Sequence, residues 1–197
     1  MIAIAEFLLP LNPGLWLIIG AFVAILLPQS LSRWFAVIFP ILLIPFLLSL
    51  NFGNHGTVSF LNYQLETFRL DALSRIFGLI FLIASALGNL YAVGDVVDKL
   101  QRCAALIYAG GALAAVFAGD MITLFIFFEI AAVASVFLIW ARRTQKAFSA
   151  GMRYLIVQIG AGVILLTGLL VHLSATGSID FNKIGLHAPG GTLIILA

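Results

Sequence analysis

The twenty residues Met121–Trp140, MITLFIFFEIAAVASVFLIW, contain one ionisable side chain, Glu129. As a helix this segment spans roughly 28 Å at about 1.5 Å per residue, close to the ~30 Å hydrocarbon thickness of a bilayer. Glu129 then lies roughly 12 Å from Met121 and roughly 16 Å from Trp140, near mid-membrane. An ionisable group at that depth is costly and usually marks an ion or proton path.

The rest of the chain points the same way. Only 9% of its 197 residues are charged and 63% are hydrophobic, with a mean hydropathy of +1.18. A soluble domain carries about 25% charged residues, so the composition is that of an integral membrane protein in a lipid bilayer. A net charge of +2 is too small to suggest a nucleic-acid partner. A single cysteine, Cys103, excludes an internal disulfide and a cysteine-based metal cluster. Met1–Pro10 has no basic start and carries Glu6, unlike a signal peptide. The first apolar segment is therefore expected to be retained.

Apolar runs between polar breaks predict an all-α, polytopic bundle of about six membrane helices. The expected spans are Leu11–Leu27, Trp34–Leu50, Ala72–Val93, Cys103–Ala118, Met121–Ala141 and Ser149–Leu173. Pro40 and Pro45 are expected to kink the second, which a membrane tolerates when neighbours satisfy the freed carbonyls. The fourth is short and rich in Ala and Gly, suited to close helix contact. Between the second and third, Thr57–Leu70 partly alternates and suggests a short surface hairpin. Asp95–Arg102 reads as a charged turn, Arg142–Lys146 as a basic turn and Ser174–Gly191 as a polar connection. The final TLIILA would rise only about 9 Å as helix. It is expected to open a seventh helix of a longer chain, making residues 1–197 one transmembrane domain from the N-terminal part of that chain.

Lys and Arg set orientation. The connections after the first, third and fifth helices hold Arg33, Lys99, Arg102, Arg142, Arg143, Lys146 and Arg153. The opposite side holds Arg69, Arg75 and Lys183. Seven against three puts the basic turns in the cytoplasm and the N-terminus outside.

Helical neighbours of Glu129 at three and four residues are Phe125, Ile126, Ala132 and Val133, all apolar. Its partner must come from another helix, another subunit or water. A carboxyl in hydrocarbon without a counter-charge keeps its proton, and an approaching cation releases it. The inert alternative is a protonated glutamate bonded to a backbone carbonyl. Other candidates carry weaker signals. Asp71 and Asp120 stand where helix caps belong. Arg153 suits snorkelling to the interface or supplying a cation to a water path. His172 suits a proton relay or an idle interfacial position. Gln158 and Asn89 suit lining a water file or joining helices. Gly160, Gly162 and Gly168 read as packing positions. His55, His172 and His187 are too scattered for a metal cluster. No phosphate loop, dinucleotide fingerprint, catalytic triad or haem signature occurs, so neither cofactor nor metal is expected.

Several of these residues fall in a familiar order. Asp71-Ala72-Leu73-Ser74 is followed by Gly119-Asp120-Met121, LFIFFE ending at Glu129, Arg153-Tyr154 and Thr176-Gly177-Ser178-Ile179. Over nearly its whole length the chain resembles the N-terminal part of proton-conducting antiporter-type subunits. Those include the D-type subunits of Mrp-type cation/proton antiporters and the membrane-arm subunits of respiratory complex I. The resemblance implies that Glu129 is the helix 5 glutamate, which in the family pairs with a lysine on helix 7 to drive proton transfer. That lysine has no match among these residues. Full members have about fourteen helices in two inverted repeats, and partners are other membrane subunits. Phe128 stands before Glu129 where complex I members more often have Trp, favouring the Mrp type. The implied function is sodium/proton exchange in a bacterial plasma membrane. A quinone-linked proton pump is the alternative, and a truncated, non-transporting structural subunit is the reading of another class.

Overall fold

The computed structural model describes residues 11–60, 63–94, 98–181 and 189–197. Glu6, Asp95, Lys183 and His187 lie outside the described residues. In chain order the elements are α1 (Pro13–Leu26), α2 (Gln29–Ser49), β1 (Gly53–Phe60), β2 (Tyr63–Leu70), α3 (Ala72–Tyr91), α4 (Lys99–Val116), α5 (Met121–Trp140), α6 (Gln145–Thr176) and α7 (Gly191–Leu196). The expected hairpin is present: β1 and β2 pair antiparallel, with Thr57 opposite Glu66 and irregular register between Asn54 and Thr57.

The helices α1 to α6 alternate between two ends. At the hairpin end, Asn12 Nδ2 donates to Thr67 O at 2.8 Å and Ala114 O at 3.1 Å. Gly119 N donates to Glu66 O at 2.8 Å, and Met121 N to Ile179 O at 3.0 Å. At the basic end, Lys99 Nζ donates to Leu27 O at 2.6 Å and Arg102 Nη1 to Ser32 Oγ at 3.2 Å, while Arg143 pairs with Asp98. Six of the seven basic residues counted above lie in connections or within the first two helical turns at this end, and Arg153 lies just over two turns into α6.

Among the described residues, four helices are long and apolar enough to cross a membrane: α2, α3, α5 and α6. α1 is apolar but has 14 residues. α4 begins at Lys99, a turn earlier than expected, because Lys99 reaches back to Leu27 and Arg102 to Ser32 in the first turn of α2, so that both sit inside the helix. Those charges dilute its apolar character. Other boundaries also differ, and α2 starts at Gln29 where Trp34 was expected. α6 starts at Gln145 because Thr144 Oγ1 accepts from Ala147 N at 3.1 Å. It continues to Thr176, where Gly177 takes the left-handed conformation (φ 70°) that closes a helix with little strain for glycine. α2 runs through both Pro40 and Pro45.

Small residues set the packing of α4. A Cβ at Gly110 would lie 2.7 Å from Gly14 O, and one at Gly111 would lie 2.9 Å from Ala131 N. Glycine at those two positions lets α1 and α5 approach the α4 backbone closely, the contact that drives helix association where lipid removes the hydrophobic difference. A buried cluster of Leu17, Leu47, Phe68, Leu82, Leu113 and Phe117 fills the hairpin end. Large apolar side chains stay exposed on the outer faces, among them Ile76 and Ile80 on α3 and Ile156 and Val157 on α6. This is the surface of an integral membrane protein.

Asp71 caps α3 in a capping box with Ser74, its Oδ1 accepting from Ser74 N at 2.7 Å. That backbone hydrogen bond, foremost, holds the Asp71 carboxyl below the ordinary carboxylate range. A carboxyl depressed on folding contributes stability above its unfolded value, about 3.9. The contribution is lost as pH falls through the folded value. Melting in detergent from pH 6 to pH 3 is expected to fall less steeply in Asp71→Asn than in the parent. Parallel curves would remove Asp71 from the acid response.

Candidate functional site

Glu129 lies near the middle of α5, half-buried, with Oε1 fully enclosed and without a hydrogen-bond partner among the described residues. On one side it borders a groove of about 520 Å³ between α1, α4 and α5. The other walls are apolar or thiol, including Phe22, Cys103, Ile107 and Val133. On the other side the carboxyl rests against α6 at Gly162. As its sequence neighbours imply, α5 gives the carboxyl no polar contact.

Three contacts fix the antiparallel register of α5 and α6. Trp140 lies on Gly151, Ser135 Oγ donates to Tyr154 Oη at 3.0 Å, and Glu129 lies on Gly162. Gln158 therefore sits level with Ala132 and Val133, one turn from the carboxyl on the face that carries Tyr154 and Gly162. The sequence does not single out the Ser135–Tyr154 pair. Their meeting depends on register, which no local pattern encodes.

The remaining candidates are not gathered around Glu129. Arg153 is exposed at the basic end beside Lys146 and Ser149, roughly 13 Å along α6 from Gly162. His172 lies roughly 15 Å from Gly162 in the other direction. It is buried within the protein: 5% of it is exposed, Nδ1 is 3.2 Å from Pro189 O, and Nε2 has no partner among the described residues. The chain returning through Pro189 and Gly190 covers it. Among the described residues Asn89 bonds within its own helix, its Nδ2 donating to Ser85 O one turn earlier at 2.8 Å. His55 lies in β1 rather than in a loop, and its Nε2 is 2.7 Å from Asn51 O. Gly168 packs against Leu193 and Ile194 of α7, whereas no described residue approaches Gly160.

Asp71 and Asp120 are both caps. Asp120 is fully buried, and its Oδ1 accepts from Thr123 N at 2.8 Å. Its Oδ2 accepts from Thr123 Oγ1 and Glu66 N, both at 2.7 Å.

Residues 118–195 match the family model described as NADH:quinone oxidoreductase/Mrp antiporter, transmembrane. NADH-quinone oxidoreductase subunit N of a Geobacillus species is 33% identical over 141 residues, covering 66% of this chain and 27% of that protein. The Na(+)/H(+) antiporter A1 subunit of Staphylococcus haemolyticus is 27% identical over 168 residues, covering 79% of this chain and 21% of that protein. The chain thus spans about a quarter of the length of these curated relatives. Among solved structures, respiratory complex I from Thermus thermophilus superposes with a TM-score of 0.70 at 19% identity, covering 93% of this chain and 41% of that one. An archaeal membrane-bound sulfane sulfur reductase gives 0.69 at 23% identity, covering 88% and 29%. Residues 118–195 carry the transmembrane domain of the NADH:quinone oxidoreductase/Mrp antiporter family, and the chain, with its complex I membrane-arm fold, is a homologue of complex I subunit N and of the A-type Mrp antiporter subunits.

Proposed function

We propose that this chain forms part of the proton-translocating unit of a multisubunit monovalent cation/proton antiporter, with sodium as the exchanged cation. The observation that supports this most is the Glu129 carboxyl, enclosed at mid-helix with Oε1 unpartnered among the described residues. Such a group has two protonation states. It holds its proton while no cation is near, and it gives the proton up when one approaches. The counter-charge would come from another part of the protein or from a neighbouring subunit. In this reading α1 to α6 all span the bacterial plasma membrane, with the basic end in the cytoplasm.

The test is the full-length protein with its partner subunits in vesicles, scored by sodium-driven change in internal pH. The parent is expected to exchange and Glu129→Gln to fail. Undiminished exchange by the variant would remove Glu129 from the mechanism.

The quinone-linked pump is a second reading, favoured by the 33% identity to a complex I subunit N against 27% to an antiporter A1 subunit. Replacing sodium by choline separates the two. Proton movement is expected to stop in the antiporter and to continue, driven by quinone reduction, in the pump.

A further inference from the structure

We propose that Gly162 is a positioning residue for Glu129: its missing side chain leaves the space in which the carboxyl sits against α6. This rests on the reading of Glu129 as the proton carrier and goes beyond it by naming what aims that group.

The α6 glycines do not share one role. A Cβ at Gly151 would press on the Trp140 ring, one at Gly168 would lie 2.9 Å from Ile194 N, and one at Gly160 would meet nothing within 4 Å. At Gly162 the nearest atoms are all in the Glu129 carboxyl, with Cδ at 2.9 Å and Oε2 at 3.2 Å from the added carbon. No backbone of another helix is among them. The clash would therefore fall on the reacting group itself, and the carboxyl would have to swing away from α6.

The direction of that swing matters. Away from α6 lies the groove walled by Phe22, Ile107 and Val133. Along the α5–α6 seam, towards the basic end, lie Gln158 and the Ser135–Tyr154 pair. Gly162 keeps the carboxyl on the polar seam rather than in the apolar groove. A glycine with no role at this position makes the opposite forecast. Alanine is the better helix former, so Gly162→Ala would leave the protein as stable or more stable and fully active.

The experiment uses the full-length protein with its partner subunits, and reads exchange rate against pH in vesicles. Gly160→Ala is expected to match the parent. Gly162→Ala is expected to lower exchange on the order of tenfold to a hundredfold, the scale of a misplaced reacting group, and to displace the pH profile. Glu129→Asp shortens the side chain by one methylene and makes room, so Gly162→Ala/Glu129→Asp is expected to exchange faster than the product of the two single effects. If Gly162→Ala fails to assemble, Gly162→Ala/Glu129→Ala is expected to recover assembly. Persistent loss would make the glycine a packing residue and overturn the proposal. Gly162→Ala matching Gly160→Ala in rate and profile, while Glu129→Gln is inactive, would overturn it too. Active Glu129→Gln would instead defeat the proton-carrier reading beneath it.

Discussion

Vesicles carrying Glu129→Gln are expected to lose proton-coupled exchange by about a hundredfold or more, the scale of removing a proton-transfer group, with the protein still folded. Glutamine keeps the size and polarity of the side chain and removes only the titration. The fold is not expected to suffer, because Oε1 makes no hydrogen bond to a described residue. An enclosed acceptor left unmatched costs about 1–3 kcal/mol, so taking it away relieves a cost. Glu129→Leu should then melt no lower than the parent in detergent, and up to a few degrees higher at about 2–4 °C per kcal/mol, while being equally inactive. Glu129→Asp keeps a titrating group but withdraws it by one methylene, and is expected to retain partial exchange. Stability and activity thus move in opposite directions at this position, the signature of a residue kept for function. Intact exchange in both Glu129→Gln and Glu129→Leu would leave a structural membrane piece as the better account.

What was legible in the sequence follows from how local each signal is. Glu129 stands out because it is the one ionisable residue in twenty, and burial depth can be counted along a helix. Asp71 and Asp120 precede apolar runs, and both cap through backbone N–H groups three residues on. Alternation and short polar breaks announce the hairpin. Asn12 gives no such warning: its bonds reach Thr67 and Ala114, 55 and 102 residues away. Gly162 carries no chemistry of its own, and its meaning emerges only when α6 is laid on α5. Charge suggests a turn where α4 begins, yet Lys99 and Arg102 are helical and direct their charge to Leu27 and to Ser32 in the first turn of α2. Counting along α6 puts His172 at the interface, but its burial depends on Pro189 and Gly190 coming back over it.

The largest effect on folding is expected from Asp120→Ala. Its carboxyl is the shared acceptor of three donors from two elements: Thr123 N and Thr123 Oγ1 in α5, and Glu66 N in β2. Losing the cap costs about 1 kcal/mol. Glu66 N–H adds about 1–3 kcal/mol if left without an acceptor. The same corner holds Gly119 N on Glu66 O, Met121 N on Ile179 O and the bridge between Asp120 and Asp180. Hairpin, α5 and the chain after α6 therefore loosen together, and a drop in melting temperature of several degrees or more is expected. Asp120→Asn retains one acceptor for Thr123 N but turns an amide donor towards Glu66 N–H, so it should recover only part of the loss. Position 120 lies roughly 13 Å along α5 from Glu129. The protein that still assembles should keep the parental pH profile of exchange, lowering the amount of transporter and not its chemistry. A variant that melts with the parent would show that the hairpin end holds without this carboxyl, leaving the contacts of Asn12 and the buried cluster around Phe117 to fix where α5 begins.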